Sequence, residues 1–200
     1  MRNLLCTLLF LTIFSLGFSE ESAPTRILVA YYSETGNTEK LARAVREGAV
    51  LVDGVEVILR NVGDVTDEEI IAASGILVGT PVHWGSASAE ARAFVIKVGN
   101  VLSAGGSLDR EGRTAGAFCT GGDVASGKEM ARLSILTGFL NQRFLVIGGV
   151  TADGFGSLGA EATTGGASEG LSEEELGEAT MFGERFARLT HKIHHASLHE

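Results

Sequence analysis

Cysteine is scarce in this chain: two occur in 200 residues, Cys6 and Cys119. Cys6 lies in an apolar N-terminal run, so a domain that begins after this run keeps one cysteine and has no internal disulfide. Basic residues are also in the minority, because 16 Lys and Arg stand against 25 Asp and Glu for a formal net charge of −9. This charge argues against nucleic acid and an anionic membrane surface as partners. It is compatible with a phosphate group, which backbone N–H groups bind without any cation.

The longest uncharged apolar run is at the N-terminus, from Leu4 to Phe18. It is shorter than the roughly 20 residues of a membrane-spanning helix. Arg2 precedes it, and small residues around Ser19 suit a signal peptidase. We therefore predict a Sec-type signal peptide over residues 1–19, a linker over 20–25 and one domain over 26–200. The domain is expected to be exported, periplasmic or secreted, without a stable membrane span. The alternative is an uncleaved leader that anchors the domain to the membrane.

The remainder has an ordinary globular composition, with 44% hydrophobic and 20% charged residues in the whole chain. Apolar β-rich runs alternate with amphipathic segments, a pattern typical of a parallel sheet with helices on both faces. Five strands are predicted, at Ile27–Tyr32, Val55–Leu59, Ile76–Gly79, Thr114–Phe118 and Phe144–Ile147. Helices are predicted from Thr38, over Asp67–Ala73 behind a Thr66 cap, over Ala87–Val98 and Lys128–Asn141, and from Ser172. The apolar residues expected on the last two are Leu133, Leu136 and Leu140, and Phe182, Phe186, Leu189 and Ile193. The fold class is α/β, a doubly wound five-stranded parallel sheet of order 2-1-3-4-5, with a glycine-rich loop over 148–170.

No Lys or Arg occurs between the first strand and the first helix. The segment there consists of Ser33, Glu34, Thr35, Gly36, Asn37 and Thr38. Gly36 permits close backbone approach, the hydroxyls are donors, and the helix start offers unpaired N–H groups. These features predict a site for one phosphate monoester, since a nucleoside triphosphate would require a Lys and a metal ion. The alternative is a capped turn rich in Ser and Thr without a ligand.

Two further loops follow the third and fourth strands. The first contains Thr80, Pro81, Val82, His83, Trp84 and Gly85, and its indole offers a face for stacking on a flat ligand. The alternative is a loop whose Trp merely packs against the protein. The second contains Thr120, Gly121, Gly122, Asp123, Val124 and Ala125, and its glycines allow the backbone to approach a ring. It continues into Gly127-Lys128-Glu129, which resembles a P-loop but has Glu where Ser or Thr should hold Mg²⁺.

The chain from Ile27 to about Leu189 resembles the flavodoxin superfamily, and within it the WrbA-type NAD(P)H:quinone oxidoreductases. Tyr-Ser-Glu-Thr-Gly-Asn-Thr-Glu looks like a flavodoxin phosphate loop. The other matching pieces are Gly-Thr-Pro-Val-His-Trp-Gly, Phe-Cys-Thr-Gly-Gly-Asp-Val-Ala-Ser-Gly-Lys-Glu and Gly-Gly-Ala-Ser-Glu-Gly-Leu-Ser-Glu-Glu-Glu-Leu. The resemblance implies FMN as cofactor, with its phosphate in 33–38 and its ring between 83–85 and 120–125. The chain departs from the family at His83-Trp84, at Leu102 and at Asn141-Gln142, where the family often has Arg-Phe, a pocket Trp and a His pair.

The resemblance implies two-electron reduction of quinones, with NAD(P)H as the donor. Among the residues of the chain itself, His83 is the best placed titratable group beside the ring, and we expect it to donate a proton or to contact the substrate. The alternatives are a flavodoxin-type electron carrier without a substrate of its own, which would exchange electrons with a redox-partner protein, and an FMN-binding sensor. A homo-oligomer is also compatible with the family. Nicotinamide cofactors are expected in the cytoplasm, which conflicts with the predicted export and leaves the physiological donor open.

Two other features have alternative interpretations. His191, His195 and His199 recur at helical spacing and could form a surface metal site, but a solvated helix end without a ligand is favoured, so no metal is predicted. Cys119 could be a reactive thiol beside the flavin, but burial at the end of a strand is favoured.

Overall fold

The structure, a computed structural model, describes residues 24–104, 112–150, 156–165 and 170–197. The predicted signal peptide lies outside these residues. The strands are β1 Thr25–Tyr31, β2 Val55–Asn61, β3 Gly75–His83, β4 Ser86–Ala87, β5 Thr114–Gly121, β6 Leu145–Val146 and β7 Glu161–Thr163. The helices are α1 Asn37–Ala49, α2 Asp67–Ala72, α3 Ala89–Ala104, α4 Lys128–Asn141 and α5 Glu173–Ser197. Among the described residues, no helix is both long enough and apolar enough to cross a bilayer.

The main sheet runs in the order β2-β1-β3-β5-β6 with parallel pairing. This confirms the predicted α/β fold and the order 2-1-3-4-5, in which β5 and β6 are the fourth and fifth predicted strands. Residues facing opposite sides alternate along β1: Ile27 and Val29 pack against α1 and α5, whereas Leu28 and Ala30 pack toward α2, α3 and α4. The sheet is therefore buried on both faces, as continuous apolar strands require.

The sheet has two short strands beyond the five predicted. β4 pairs antiparallel with the end of β3, so the helix predicted from Ala87 begins at Ala89. β7 lies in the glycine-rich segment predicted as a loop, and it pairs with Cys119–Gly121 at the far end of β5. β6 pairs only with Thr114 and Ala115. The fifth position of the sheet is therefore filled by two separate short strands. β7 has no apolar run in its own sequence that would predict a strand. It forms through pairing with β5, which is distant in the chain.

The helix predictions are confirmed in part, and the differences concern which residues are buried. α4 has the predicted bounds, but of Leu133, Leu136 and Leu140 on it only Leu136 is buried. Its buried face also contains two cations, Lys128 and Arg132. α2 begins with the predicted Thr66 cap, which forms a reciprocal capping box with Glu69. In α5, Phe182 and Phe186 are fully buried, while Leu189 and Ile193 are partly buried.

Candidate functional site

The carboxyl ends of β1, β3 and β5 are neighbours in the sheet, so the three predicted loops meet at one edge. A cleft of about 150 Å³ lies between them. It is lined by residues from all three predicted segments and by one residue after β7: Glu34, Thr35, Thr38, Pro81, Val82, His83, Thr120, Gly121, Gly122 and Thr164. Sequence analysis missed Thr164, whose N–H donates to the Gly121 carbonyl at 2.8 Å. The predicted segments thus come together at one place.

The first segment forms an open helix start. Gly36 is the N-cap of α1 with φ 86°, and no side chain of the described residues caps the helix there. The first-turn N–H groups of α1 are therefore left to another acceptor, which favours an anion over the capped-turn alternative. Ser33 Oγ accepts the Gly36 N–H at 3.1 Å, and Thr35 Oγ1 accepts from Asn37 Nδ2 at 3.3 Å. The Thr35 hydroxyl is exposed and keeps its own proton available for donation.

A buried hydroxyl pair ties this segment to β5. Thr38 Oγ1 and Thr120 Oγ1 lie 2.7 Å apart, and both residues are at most 4% exposed. Either hydroxyl can be the donor, so one proton of the pair is left to point toward the cleft that both residues line. The pair fixes the start of α1 against the strand that carries the third predicted segment.

The second segment is a tight hairpin rather than a free loop. β3 extends through His83, and the turn to β4 contains Trp84 and Gly85, with φ 51° and 77°. Two consecutive positive φ values are the geometry of a type I′ hairpin turn. Trp84 is fully exposed, with 105% relative accessibility, so the packed-Trp alternative is not what the structure has. A non-glycine residue in this strained region that presents an indole to solvent suits stacking on a flat ligand.

His83 lies at the mouth of the cleft beside two groups from the first segment. Its Nε2 is 3.7 Å from Glu34 Oε2, and its ring meets the Tyr32 ring edge-on at 6.3 Å. The Tyr32 hydroxyl donates to Glu34 Oε1 at 3.1 Å. Partial desolvation, followed by the nearby Glu34 carboxylate, raises the pKa of Tyr32 above its usual value. His83 thus lines the cleft between an acidic side chain and an aromatic ring.

The third segment lies against the second. A Cβ on Gly127 would lie 2.8 Å from the Gly85 Cα, so these two glycines permit contact between the loops. Gly122, Asp123, Val124 and Ala125 are exposed, and Asp123 Oδ1 accepts the Ala125 N–H at 3.1 Å. The backbone here is open to a ligand, whereas the Asp123 carboxylate already serves the turn.

Sequence analysis also missed a group of buried charges beneath this segment. Lys128 and Arg132 are each 3% exposed, and both pair with Glu161 of β7. Lys128 was visible in the sequence only as part of a near match to a P-loop. Its partner, the Glu161 carboxylate, lies 33 residues from Lys128 along the chain, and no local sequence pattern predicts this pairing.

The remaining candidates fall outside the cleft. Cys119 is fully buried, and desolvation above all raises the pKa of its thiol to about 12, so it is not a reactive thiol. His191 hydrogen-bonds the Thr25 hydroxyl at 2.9 Å, and no metal-binding cluster of His, Cys, Asp and Glu occurs within the described residues. His199 lies outside them. Leu102 is buried in the core, and Gln142 donates to the Val95 carbonyl.

Comparison with known proteins agrees with the geometry. No family model matches the chain. It is 38% identical over 165 residues to a flavodoxin of Aquifex aeolicus (strain VF5), covering 81% of this chain and 85% of that protein. It is 29% identical over 168 residues to a flavodoxin of Clostridium saccharobutylicum, covering 84% and 99%. Among solved structures, a flavodoxin, WrbA-like protein from Agrobacterium tumefaciens superposes with a TM-score of 0.63 at 20% identity, covering 84% of this chain and 98% of that one.

Proposed function

Because this chain belongs to the flavodoxin family and is an FMN-binding redox protein, we propose that it is an electron carrier for a redox-partner protein. The residues at the cleft suit the two ends of FMN. The open N-terminus of α1 with Thr35 and Thr38 suits a phosphate, and Trp84 with the backbone of 121–125 suits a planar ring. When bound, FMN supplies reversible uptake of one or two electrons.

The observation that carries this proposal is the exposure of the second and third segments. Trp84 and Val124 are 105% and 77% exposed, and they lie one and two residues from the cleft-lining His83 and Gly122. A ring held between them would reach the protein surface, where a partner protein can approach it. On this proposal the α1 N–H groups and the Thr hydroxyls bind the phosphate, and the glycines let the backbone approach the ring.

Mixing experiments test the carrier. The purified protein, loaded with FMN and reduced chemically, should transfer electrons rapidly to a protein that accepts electrons from flavodoxins. Its rate of NADH or NADPH oxidation with a soluble quinone as acceptor should be lower. Rapid steady-state oxidation of NAD(P)H by the quinone would contradict the proposal. Free FMN at equal concentration is the control for non-enzymatic transfer.

Two-electron quinone reduction with NAD(P)H is the second candidate. It is supported by the motifs shared with the WrbA-type enzymes and by the position of His83, half-buried at the cleft beside Glu34. On this proposal His83→Gln lowers kcat for quinone reduction while FMN binding is retained. An unchanged kcat would exclude His83 from proton transfer.

Export is a separate proposal that rests on residues 1–19. The apolar run, its flanking charges and the small residues near Ser19 support Sec-dependent cleavage. N-terminal sequencing of the protein from cell fractions tests this. A new N-terminus near Ser19 in the exported fraction is expected, and an intact Met1 in the membrane fraction would favour the anchored form.

A further inference from the structure

Beneath the third cleft segment, two buried cations pair with one partly exposed carboxylate, and none of the three is among the groups proposed to contact FMN. We name Lys128, Arg132 and Glu161 the Lys128 cluster. Lys128 Nζ lies 3.1 Å from Glu161 Oε1, and Arg132 pairs with the other carboxylate oxygen. Lys128 Nζ also donates to Thr163 Oγ1 at 2.6 Å, and Arg132 donates to the Gly159 carbonyl. Each cation therefore binds β7 or the residues just before it.

The position of these cations is unfavourable for stability. Lys128 is the first residue of α4 and Arg132 lies one turn later, at the helix end whose dipole disfavours positive charge. Two buried cations share one carboxylate, and burial penalises each charge. Glu129 is exposed. Partial burial of Glu175 opposes its ionisation, but hydrogen bonds from the Thr163 N–H and from Ser172, together with the nearby Lys128 charge, lower the pKa of Glu175. Neutral donors could make the same contacts to β7, so charges placed here against these local rules point to a function for the charge itself.

The cluster touches the cleft from below. The Lys128 side chain lies 2.8 Å from the place that a Cβ on Gly121 would occupy, and Gly121 lines the cleft. Thr163, which Lys128 binds, precedes Thr164, another cleft residue. The aliphatic part of Lys128 thus lies behind Gly121, and its ammonium group, on Thr163, is one residue removed from the cleft, in a protein whose net charge is −9. A low-polarity environment transmits such a charge farther than solvent does.

We propose that Lys128 is a positioning residue of the FMN site and its local source of positive charge. Its side chain holds Thr163 and Thr164 against Gly121, and its charge favours anions in the cleft. Both the phosphate and the fully reduced ring, an anion at neutral pH, would benefit. This inference rests on FMN binding but not on which partner or substrate the protein serves.

Opposite charge changes separate this role from a merely structural one. Lys128→Met removes the cation and should weaken FMN binding about tenfold, with a smaller loss for riboflavin, which lacks the phosphate. It should also lower the midpoint potential of bound FMN. A tenfold change in the ratio of dissociation constants for oxidised and reduced FMN corresponds to about 30 mV in the two-electron potential. Glu161→Gln removes the neutralising carboxylate and should raise that potential.

The controls keep the test decisive. Lys128→Arg restores the charge and should recover most of the potential, whereas Lys192→Met removes an exposed cation from the far end of α5 and should leave it unchanged. If Lys128→Met does not fold, the sign obtained with Glu161→Gln decides alone. Potentials that shift in the same direction in both variants would overturn the proposal, as would equal losses of FMN and riboflavin. Failure of the wild-type protein to bind FMN would instead contradict the proposed function.

Discussion

Thr38 is the residue at which two of the cleft segments are joined. Its hydroxyl is buried against Thr120, whereas the Thr35 hydroxyl on the same turn is exposed. Because this cleft segment has no Lys or Arg, its direct hydrogen bonds to a phosphate would come from neutral hydroxyls and N–H groups. The two threonines are therefore complementary: one lies on the protein side of the site and the other on the solvent side.

Replacing both hydroxyls should separate phosphate binding from ring binding. The double substitution Thr35→Ala with Thr38→Ala is expected to weaken FMN binding by about 1.5–3 kcal/mol for each lost hydrogen bond to the charged phosphate. Riboflavin should lose much less. Fluorescence titration of both ligands measures the difference, and Thr137→Ala on the exposed face of α4 is the control. Equal losses for the two ligands would show that 33–38 does not bind the phosphate.

A substitution at Asp123 can test the effect of its charge on the flavin while the turn at 123–125 is kept. Its Oδ1 accepts the Ala125 N–H, and Asn keeps that acceptor while it removes the charge. A carboxylate near the ring disfavours the reduced anion, so Asp123→Asn should raise the potential of bound FMN. Because Asp123 is exposed, the effect should be that of a surface charge pair, about 0.2–1 kcal/mol or roughly 10–40 mV per electron. Titration against redox dyes measures it, and a lowered potential would show that another group dominates.

Among the elements, α1 and α5 pack closely enough to exclude a methyl group. A Cβ on Gly48 of α1 would overlap the Thr180 carbonyl of α5, and a Cβ on Gly183 would overlap the Val45 carbonyl. Backbone at such positions cannot move aside as the end of a side chain can. The glycines therefore set the distance between the two helices that cover one face of the sheet.

A pair of identical substitutions tests this packing. Gly48→Ala should lower the free energy of unfolding by about 1–3 kcal/mol through overpacking. Gly177→Ala, on exposed α5 surface with open space around its Cβ, should raise it by up to about 1 kcal/mol through helix propensity. Urea unfolding of the apoprotein measures both. A Gly48→Ala protein as stable as the wild type would mean that the helices separate at little cost.

Elements that are determined by neighbouring residues, such as caps and hydrophobic patterns, were predictable from sequence. The bounds of α4 and the Thr66 cap followed from nearby residues, and the strand order followed from the alternation of strands and helices. β7 and Thr164 were not predicted, because their position depends on pairing with β5 across more than 40 residues. The Lys128 cluster was hidden for the same reason. Thr35, Thr38, His83 and Trp84 could be proposed from sequence because a loop after a strand end is recognisable from its own residues, and the structure places the first three at the cleft.

For the whole molecule, Cys119 is a probe at the centre of the fold. It lies on β5, the strand between β3 and β6, and is fully buried with a raised thiol pKa. A thiol reagent can reach it only when the sheet opens. Any ligand that binds the folded state alone stabilises that state and reduces the open population.

Thiol labelling should therefore report FMN binding without any redox chemistry. In a Cys6→Ser protein, Cys119 is the one remaining cysteine, and its labelling should follow global unfolding where closing is faster than the reaction. FMN at a hundred times its dissociation constant stabilises the folded state by about 2.7 kcal/mol, so labelling should slow about 100-fold. Riboflavin at equal concentration should protect Cys119 less, because it lacks the phosphate. The Cys6→Ser protein that also carries Cys119→Ser should show no labelling. Rapid labelling that FMN does not slow would mean that the strand end opens locally, independently of the cleft.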